Sequence, residues 1–134
     1  MQTRIYLVED NPFILEWLTQ ALEELTHARV VGSAATEAEA SHWLKVHQES
    51  WDIAVVDLWL AQGNGLQVIN SIRKTSTQKI IVLTNYVTKE MRKFCLASGA
   101  DAFFDKSTEI EEFTTYVTQA CPAKPPVSEP HAHL

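Results

Sequence analysis

Short apolar runs alternate along the chain with longer segments in which apolar residues recur at helical spacing. The runs that predict strands are residues 5–8, 29–35, 53–57, 80–84 and 102–104. The run 53–57 is apolar up to its final aspartate, which is typical of a strand covered on both faces of a sheet. A helical segment follows each run, so the pattern indicates strict alternation of strand and helix.

Residues that favour helix ends divide the helical segments. The helices are expected to begin after Asn11, after Thr36, after the turn at 63–65, after Thr88 and after Thr108. Pro12 suits a first helical position, and Thr36 with Glu39 and Thr108 with Glu111 have the spacing of capping boxes. The first two helices are expected to end near residues 25 and 47, the fourth at Gly99 and the fifth before Pro122.

Five strand–helix units predict a single α/β domain over residues 1–121. Its five strands are expected to form a parallel, doubly wound sheet with helices on both faces and right-handed crossovers. Residues 122–134 contain four prolines and are expected to be a disordered tail or a truncated linker.

Composition narrows the class of protein. The 134 residues are 46% hydrophobic and 21% charged, as in an ordinary globular domain, and the formal net charge of -6 argues against direct binding of nucleic acid. Cys95 and Cys121 lack the spacing of a metal site. The sequence also lacks a signal-peptide pattern and a membrane-length apolar stretch, so a cytoplasmic location and no membrane partner are expected.

Polar residues end or follow four of the predicted strands. Glu9 and Asp10 follow the first, Asp57 and Thr84 end the third and fourth, and Lys106 follows the fifth. Ligands of open parallel sheets bind at the carboxyl ends of the strands, so these side chains are expected to meet there. Three converging carboxylates repel one another unless a cation joins them, and Mg²⁺ prefers such oxygen ligands.

A phosphoryl group suits this set of residues. A bound metal lets a carboxylate attack phosphorus because it neutralises the charge between the nucleophile and the incoming anion. Lys106 would supply a point charge to the phosphoryl oxygens, and Thr84 would supply a hydroxyl donor.

The same residues make the chain similar to the bacterial response-regulator receiver family, from about residue 3 to residue 120. The matching positions are Glu9-Asp10, Asp57-Leu58-Trp59-Leu60, Gly65-Leu66, Thr84 and Lys106 after Phe103-Phe104. The resemblance implies a (βα)5 flavodoxin-like fold. Ser107 stands where many receivers have a proline, which makes the chain more similar to the receivers of LuxR/NarL-type regulators.

The resemblance also implies roles for individual residues. Asp57 would accept the phosphoryl group from a sensor histidine kinase, a phosphotransfer protein or a small phosphodonor, and the domain would be able to form a homodimer on phosphorylation. Glu9, Asp10, Asp57 and the backbone carbonyl of Trp59 would bind Mg²⁺. Thr84 and Phe103 would form the switch pair that links phosphate contact to rotation of the ring.

Two departures from the family concern access to the phosphoryl group. Asn85 follows Thr84 where a small residue is usual, and Trp59 and Tyr86 are large residues at positions that border the approach of water in receivers. Slow autodephosphorylation is therefore expected. Ala61 replaces a proline that is common after the phosphoacceptor, which affects the stiffness of the loop.

The first helix has more apolar residues than a core-facing stripe needs. Ile14, Trp17, Leu18, Ala21 and Leu25 suffice for the core, which leaves Phe13, Leu15 and Leu22 as a candidate partner face. Over-packing of the helix explains the excess equally well, and the resemblance favours the interface because kinases commonly dock on this helix in receivers.

Two other functions are compatible with parts of the pattern. A small Mg²⁺-dependent phosphohydrolase of haloacid-dehalogenase type also uses an aspartate nucleophile, but it needs a second acid two residues later, where this chain has Trp59. A phosphorylation-independent interaction module would keep the fold alone. The intact Asp57, Thr84 and Lys106 argue against that alternative.

Overall fold

A computed structural model describes residues 2–121 and has five strands and five helices in strict alternation. The elements are β1 (Thr3–Val8), α1 (Pro12–Leu25), β2 (Ala28–Ala34), α2 (Glu37–Val46), β3 (Ile53–Val56), α3 (Gly65–Ser71), β4 (Lys79–Thr84), α4 (Lys89–Ala97), β5 (Ala102–Asp105) and α5 (Ile110–Ala120). The predicted α/β fold is confirmed. The tail predicted at 122–134 lies outside the described residues. None of the helices within 2–121 combines the length and the hydropathy that a membrane crossing requires.

All five strands are parallel and lie in the order β2-β1-β3-β4-β5. The chain therefore changes direction across the sheet between β1 and β3, which is where open α/β sheets bind their ligands. The register pairs Val8 with Val56, so the residues that follow these strands leave the sheet side by side. Glu9, Asp10 and Asp57 occupy those positions.

The sheet separates two hydrophobic cores. Along β3, Ala54 and Val56 pack into one core and Ile53 and Val55 into the other, as the two-residue period of a strand requires. All four residues are buried. This burial confirms the prediction that both faces of the strand are covered.

Side-chain caps at three of the helices agree with the prediction. Asn11 accepts hydrogen bonds from the backbone N–H groups of α1, Thr36 accepts one in α2 and Thr88 accepts one in α4. Gly99, which follows α4, has a φ of +123°, a conformation that favours glycine after a helix. Asn64 caps α3 in the same way, a role that sequence analysis did not assign to it.

The predicted capping box at the start of α5 is wrong. The N-cap is Glu109 rather than Thr108, and it makes no side-chain capping bond. The Glu109 carboxylate instead accepts hydrogen bonds from the Asp105 backbone N–H and from Arg92. The long-range partner on α4 thus overrides the local signal, and the helix begins at Ile110.

The predicted division of the α1 surface also needs correction. Leu22 is only 2% exposed, and Leu15 is half-buried against the second core, so neither belongs to a free partner face. Phe13 is exposed as predicted, at 83%, but Trp17 is 51% exposed rather than part of the core. Leu15, Leu18 and Leu22 are spaced three and four residues apart and share the face that packs on the sheet. Leu25 is also exposed.

Helix α5 returns to the amino ends of the strands. Its residue Ala120 lines a cavity of about 230 Å³ together with Gln2 and Thr3 at the start of β1. Cys121, the next residue, is buried in the second core. The end of α5 and the carboxyl ends of the strands therefore lie at opposite edges of the sheet.

Candidate functional site

The carboxyl edge of the sheet brings together the side chains that sequence analysis placed there. One carboxylate oxygen from each of Glu9, Asp10 and Asp57 lies within 4.8 Å of the others. Thr84 and Lys106 both bond to Asp57. The predicted convergence of these five residues is confirmed.

Asp57 is held through both of its carboxylate oxygens. Its Oδ1 accepts from the Thr84 hydroxyl at 2.8 Å and from the Trp59 backbone N–H at 3.1 Å, and its Oδ2 accepts from Lys106 Nζ at 2.9 Å. The Asp57 backbone N–H donates to the carbonyl of Val8, which ties the residue to the end of β1. Both Asp57 and Thr84 are buried, so this carboxylate has a fixed orientation.

Glu9 lies beside Asp57 and shares its lysine. Its carboxylate accepts hydrogen bonds from Lys106 Nζ and, at 3.0 Å, from the backbone N–H of Asn11. Burial raises the pKa of the Glu9 carboxyl, and these two hydrogen bonds counteract part of that effect. A further positive charge beside Glu9 would therefore stabilise its ionised form.

Lys106 is the cation of the site. Burial alone would lower the pKa of its ammonium group, but its hydrogen bonds to Glu9 and Asp57 outweigh burial and raise the pKa. The Lys106 backbone N–H donates to the carbonyl of Thr84 at 2.8 Å, which sets the side chain against the end of β4. Lys106 thus stays charged across the physiological pH range.

The donor set fits a divalent cation. Three carboxyl groups face one ammonium group, so the formal charges of these side chains leave an excess of two negative charges for a cation to balance. All of the candidate side-chain ligands are carboxylates, the oxygen ligands that Mg²⁺ prefers. The acidic pocket is therefore able to hold a metal ion. The role predicted for the Trp59 carbonyl as a further ligand stays a prediction.

The loop from β3 to α3 is fixed from two sides. On one side Asp10 accepts a hydrogen bond from the Ala61 backbone N–H at 2.7 Å. On the other side Glu37, the first residue of α2, accepts one from the Asn64 N–H at 3.0 Å. A Cβ at Gly65 would lie 2.1 Å from the Asp57 carbonyl oxygen, so only glycine fits there. Sequence analysis missed Glu37, since nothing local links it to a loop more than twenty residues away.

The residues predicted to control access lie in the loops after β3 and β4. The Trp59 indole N–H donates to the Asn85 carbonyl at 2.8 Å and so connects the two loops. Tyr86 has a φ of +58°, and its side chain extends into solvent with 83% exposure. Trp59, which is itself 50% exposed, is therefore the ring of the two that a hydrogen bond restrains.

The two phenylalanines of β5 differ in burial, as predicted. Phe103 is 4% exposed and belongs to the first core, whereas Phe104 is half-buried against the second. Arg92 of α4 lies over the Phe103 ring, with its guanidinium carbon 4.9 Å from the ring centroid. Sequence analysis gave Arg92 no role.

A groove between α1 and α5 is lined in part by Lys106. It has a volume of about 320 Å³ and is lined by Ile14, Trp17, Leu18, Leu83, Lys106 and Ile110. Lys106 therefore lines the groove that contains the exposed Trp17 ring and also bonds to Asp57.

Comparison with curated proteins shows relatives that are longer than this chain. The virulence transcriptional regulatory protein PhoP of Salmonella typhimurium is 34% identical over 110 residues, which are 81% of this chain and 47% of PhoP. A cyclic di-GMP phosphodiesterase of Thermotoga maritima is 30% identical over 117 residues, 87% of this chain and 30% of that protein. The chain thus spans a half or less of the length of these two relatives.

Solved structures share the fold. The signal receiver domain of a putative LuxO repressor protein from Vibrio parahaemolyticus matches with a TM-score of 0.76 and 18% identity, over 90% of each chain. The receiver domain of a putative NarL from Mycobacterium tuberculosis matches with a TM-score of 0.73 and 23% identity, over 89% of this chain and 92% of that one. The beryllofluoride-activated DrrB receiver domain gives 0.72 and 22%, over 90% and 97%.

A family profile described as the response regulator receiver domain matches residues 5–118. The match includes all of the residues that converge at the acidic pocket. Members of this family are not conventional enzymes but phosphorylation-activated switches of two-component signalling. The chain belongs to the response regulator receiver domain family.

Proposed function

We propose that this domain accepts a phosphoryl group on Asp57 from a sensor histidine kinase or a phosphotransfer protein. The observation that carries the proposal is the bonding of Asp57, whose two carboxylate oxygens contact Thr84 and Lys106 separately beside the acidic pair Glu9 and Asp10. A buried carboxylate with a hydroxyl and an ammonium donor beside it is suited to hold a phosphoryl anion once formed.

The site would hold Mg²⁺ through Glu9, Asp10, Asp57 and the Trp59 carbonyl. When bound, the ion would neutralise charge between the attacking carboxylate and the phosphoryl oxygens. The support for Mg²⁺ is the excess of negative charge in the pocket and the uniform set of oxygen donors.

The residues of the chain supply the rest of the chemistry. A carboxylate oxygen of Asp57 forms the new bond to phosphorus, the bond from phosphorus to the donor nitrogen breaks, and the histidine of the donor takes up a proton. Lys106 and Thr84 then donate to the phosphoryl oxygens. Because Thr84 ends β4, which pairs with β5, its contact with the phosphoryl group can be transmitted to Phe103. The domain catalyses only its own phosphorylation and dephosphorylation.

The protein that donates the phosphoryl group would dock on the exposed surface of α1. Phe13 and Trp17 are exposed there, and the groove between α1 and α5 leads from Trp17 to Lys106. Clustered exposed rings beside a groove are typical of an interface. A partner bound on this side would contact Lys106, which bonds to Asp57.

The assignment is tested by modification of the full chain. Incubation with Mg²⁺ and acetyl phosphate should add one phosphoryl group, observed as a single mass increment in intact-protein mass spectrometry. Asp57→Asn should abolish the increment, because the amide is a poor nucleophile of nearly the same size. Modification of Asp57→Asn at the wild-type level would exclude Asp57 as the phosphoacceptor.

A further inference from the structure

Arg92 contacts the predicted switch residue in two ways. Its guanidinium carbon lies 4.9 Å from the centroid of the Phe103 ring, and its Nη1 donates to the Phe103 backbone carbonyl at 2.8 Å. Arg92 belongs to α4 and Phe103 to β5, so the contact joins two elements that pack against each other. A cation over an aromatic face is attracted by the ring quadrupole.

The guanidinium is itself anchored from a third element. Arg92 Nη2 donates to Glu109 Oε1 at 2.7 Å, and the same carboxylate oxygen accepts from the Asp105 backbone N–H at 2.9 Å. Glu109 is the residue just before α5. The planar guanidinium thus donates to acceptors on two sides, which lysine could not reproduce with a single ammonium group.

The Phe103 ring that Arg92 contacts is buried, and Thr84, the other predicted switch residue, bonds to Asp57. Phe103 lies in the first core, and the Thr84 hydroxyl donates to Asp57 at 2.8 Å. Thr84 and Asp105 are paired across β4 and β5, two residues along from the pair of Val82 with Phe103. The structure therefore has the hydroxyl directed at the phosphoacceptor and the ring directed into the core.

We infer that Arg92 is a positioning residue for the switch, which holds the Phe103 ring in its buried orientation and so favours the arrangement with Thr84 at Asp57. The inference rests on the proposed function. A ligand that binds only one arrangement has an apparent Kd equal to its intrinsic Kd divided by the populated fraction of that arrangement. Loss of Arg92 should lower that fraction and weaken the binding of a phosphoryl analogue.

The experiment measures two affinities of the full chain by calorimetry. Mg²⁺ is titrated alone, and beryllofluoride, a phosphoryl analogue, is then titrated at saturating Mg²⁺. Arg92→Met removes the charge and both hydrogen bonds but keeps a long side chain. We expect about fivefold weaker binding of beryllofluoride in this variant. Mg²⁺ affinity should stay within a factor of about two, since the ring acts on Thr84 and not on the acidic pocket.

Three further variants separate the proposed role from a general structural one. Lys93→Met, a change of the same charge at the exposed neighbouring position, should leave both affinities unchanged. Arg92→Lys keeps the charge and should have an intermediate effect; it also replaces Arg92→Met should that variant fail to fold. In a Phe103→Leu background, the Arg92 substitution should have no further effect on beryllofluoride binding, as a double-mutant cycle would reveal.

Several outcomes would overturn the inference. They are unchanged beryllofluoride affinity in Arg92→Met, an equal loss of Mg²⁺ affinity, and an undiminished effect in the Phe103→Leu background. Failure of the wild-type chain to bind beryllofluoride at all would instead contradict the proposed function. The two hypotheses are therefore separated by the same data.

Discussion

Trp59 is the large side chain that the structure fixes beside Asp57. Its indole N–H donates to the Asn85 carbonyl, and its backbone N–H donates to the Asp57 carboxylate. The residue is therefore bound at two points, and displacement of the ring costs a hydrogen bond. Tyr86 has no such restraint, since its ring extends into solvent. The two rings that were predicted to limit access thus differ in how firmly they are held.

The lifetime of the phosphoryl group should depend on Trp59. Hydrolysis needs a water in line with phosphorus, and each tenfold in rate corresponds to about 1.4 kcal/mol of positioning. We expect Trp59→Asn to speed phosphate loss by roughly three- to tenfold, and Tyr86→Ala to speed it less. The measurement follows phosphate loss after removal of acetyl phosphate at constant Mg²⁺.

Wild-type protein provides the reference rate, and Tyr86→Ala is the matched removal of a neighbouring ring. If neither substitution speeds the loss by more than a factor of about two, worth only ~0.4 kcal/mol, these rings do not control hydrolysis.

The loop between β3 and α3 is a structural unit that depends on α2. Glu37 accepts from the Asn64 N–H, and its own backbone N–H donates to the Gln62 carbonyl at 3.1 Å. A Cβ at Gly63, whose φ is +80°, would lie 2.3 Å from the Glu37 Cβ, so the two backbones are in close approach. The loop that carries the Trp59 carbonyl is thereby also held through Gln62 and Asn64.

Removal of this contact should weaken metal binding. Glu37→Ala leaves the Asn64 N–H without its acceptor and loosens the loop that presents Ala61 to Asp10. We expect a loss of Mg²⁺ affinity of roughly three- to tenfold, at or below the range typical of groups that directly orient ligands. Titration calorimetry measures the loss.

Glu37→Gln is the control, because its amide oxygen still accepts from Asn64. Its Mg²⁺ affinity should match that of the wild-type chain. Equal losses in both variants would point to the charge of Glu37 rather than to its hydrogen bond.

The helices and strands were predictable where the sequence pattern that specifies them is local. Apolar runs identify β3 and β4, and Asn11, Thr36 and Thr88 cap the helices that they precede. The rotation of α1 was not predictable, because more apolar residues were present than one face can bury and packing on the sheet selects among them. Glu109 was missed as a cap for a related reason, since its partner Arg92 is distant in sequence.

The acidic pocket was predictable as a whole because parallel strands end at one edge of the sheet. Glu9, Asp57 and Lys106 each follow a recognisable strand, so their convergence depends only on topology. Arg92 and Glu37 act through side chains that cross between elements. An arginine or a glutamate on a helix is common at the surface, and its spacing gives no indication of such a partner.

The net charge of the whole molecule disfavours binding to nucleic acid. The formal net charge is -6, and phosphate binding requires a concentration of basic residues on one surface. We expect the 134-residue chain to show no sequence-specific binding of duplex DNA at physiological salt, as measured by fluorescence anisotropy. A specific duplex that binds at this salt and is displaced only by its own sequence would contradict the expectation.

The opposite placement of Asp57 and of the end of α5 has a mechanical consequence. A parallel strand of six residues such as β4 is about 20 Å long, so Asp57 is separated from Cys121 by roughly that distance. A change at the site would therefore reach the end of α5 only through rearrangement of side chains packed along the length of the strands. A partner protein bound to the helix surfaces between the site and Cys121 could therefore detect such a rearrangement before it reached the opposite edge of the sheet.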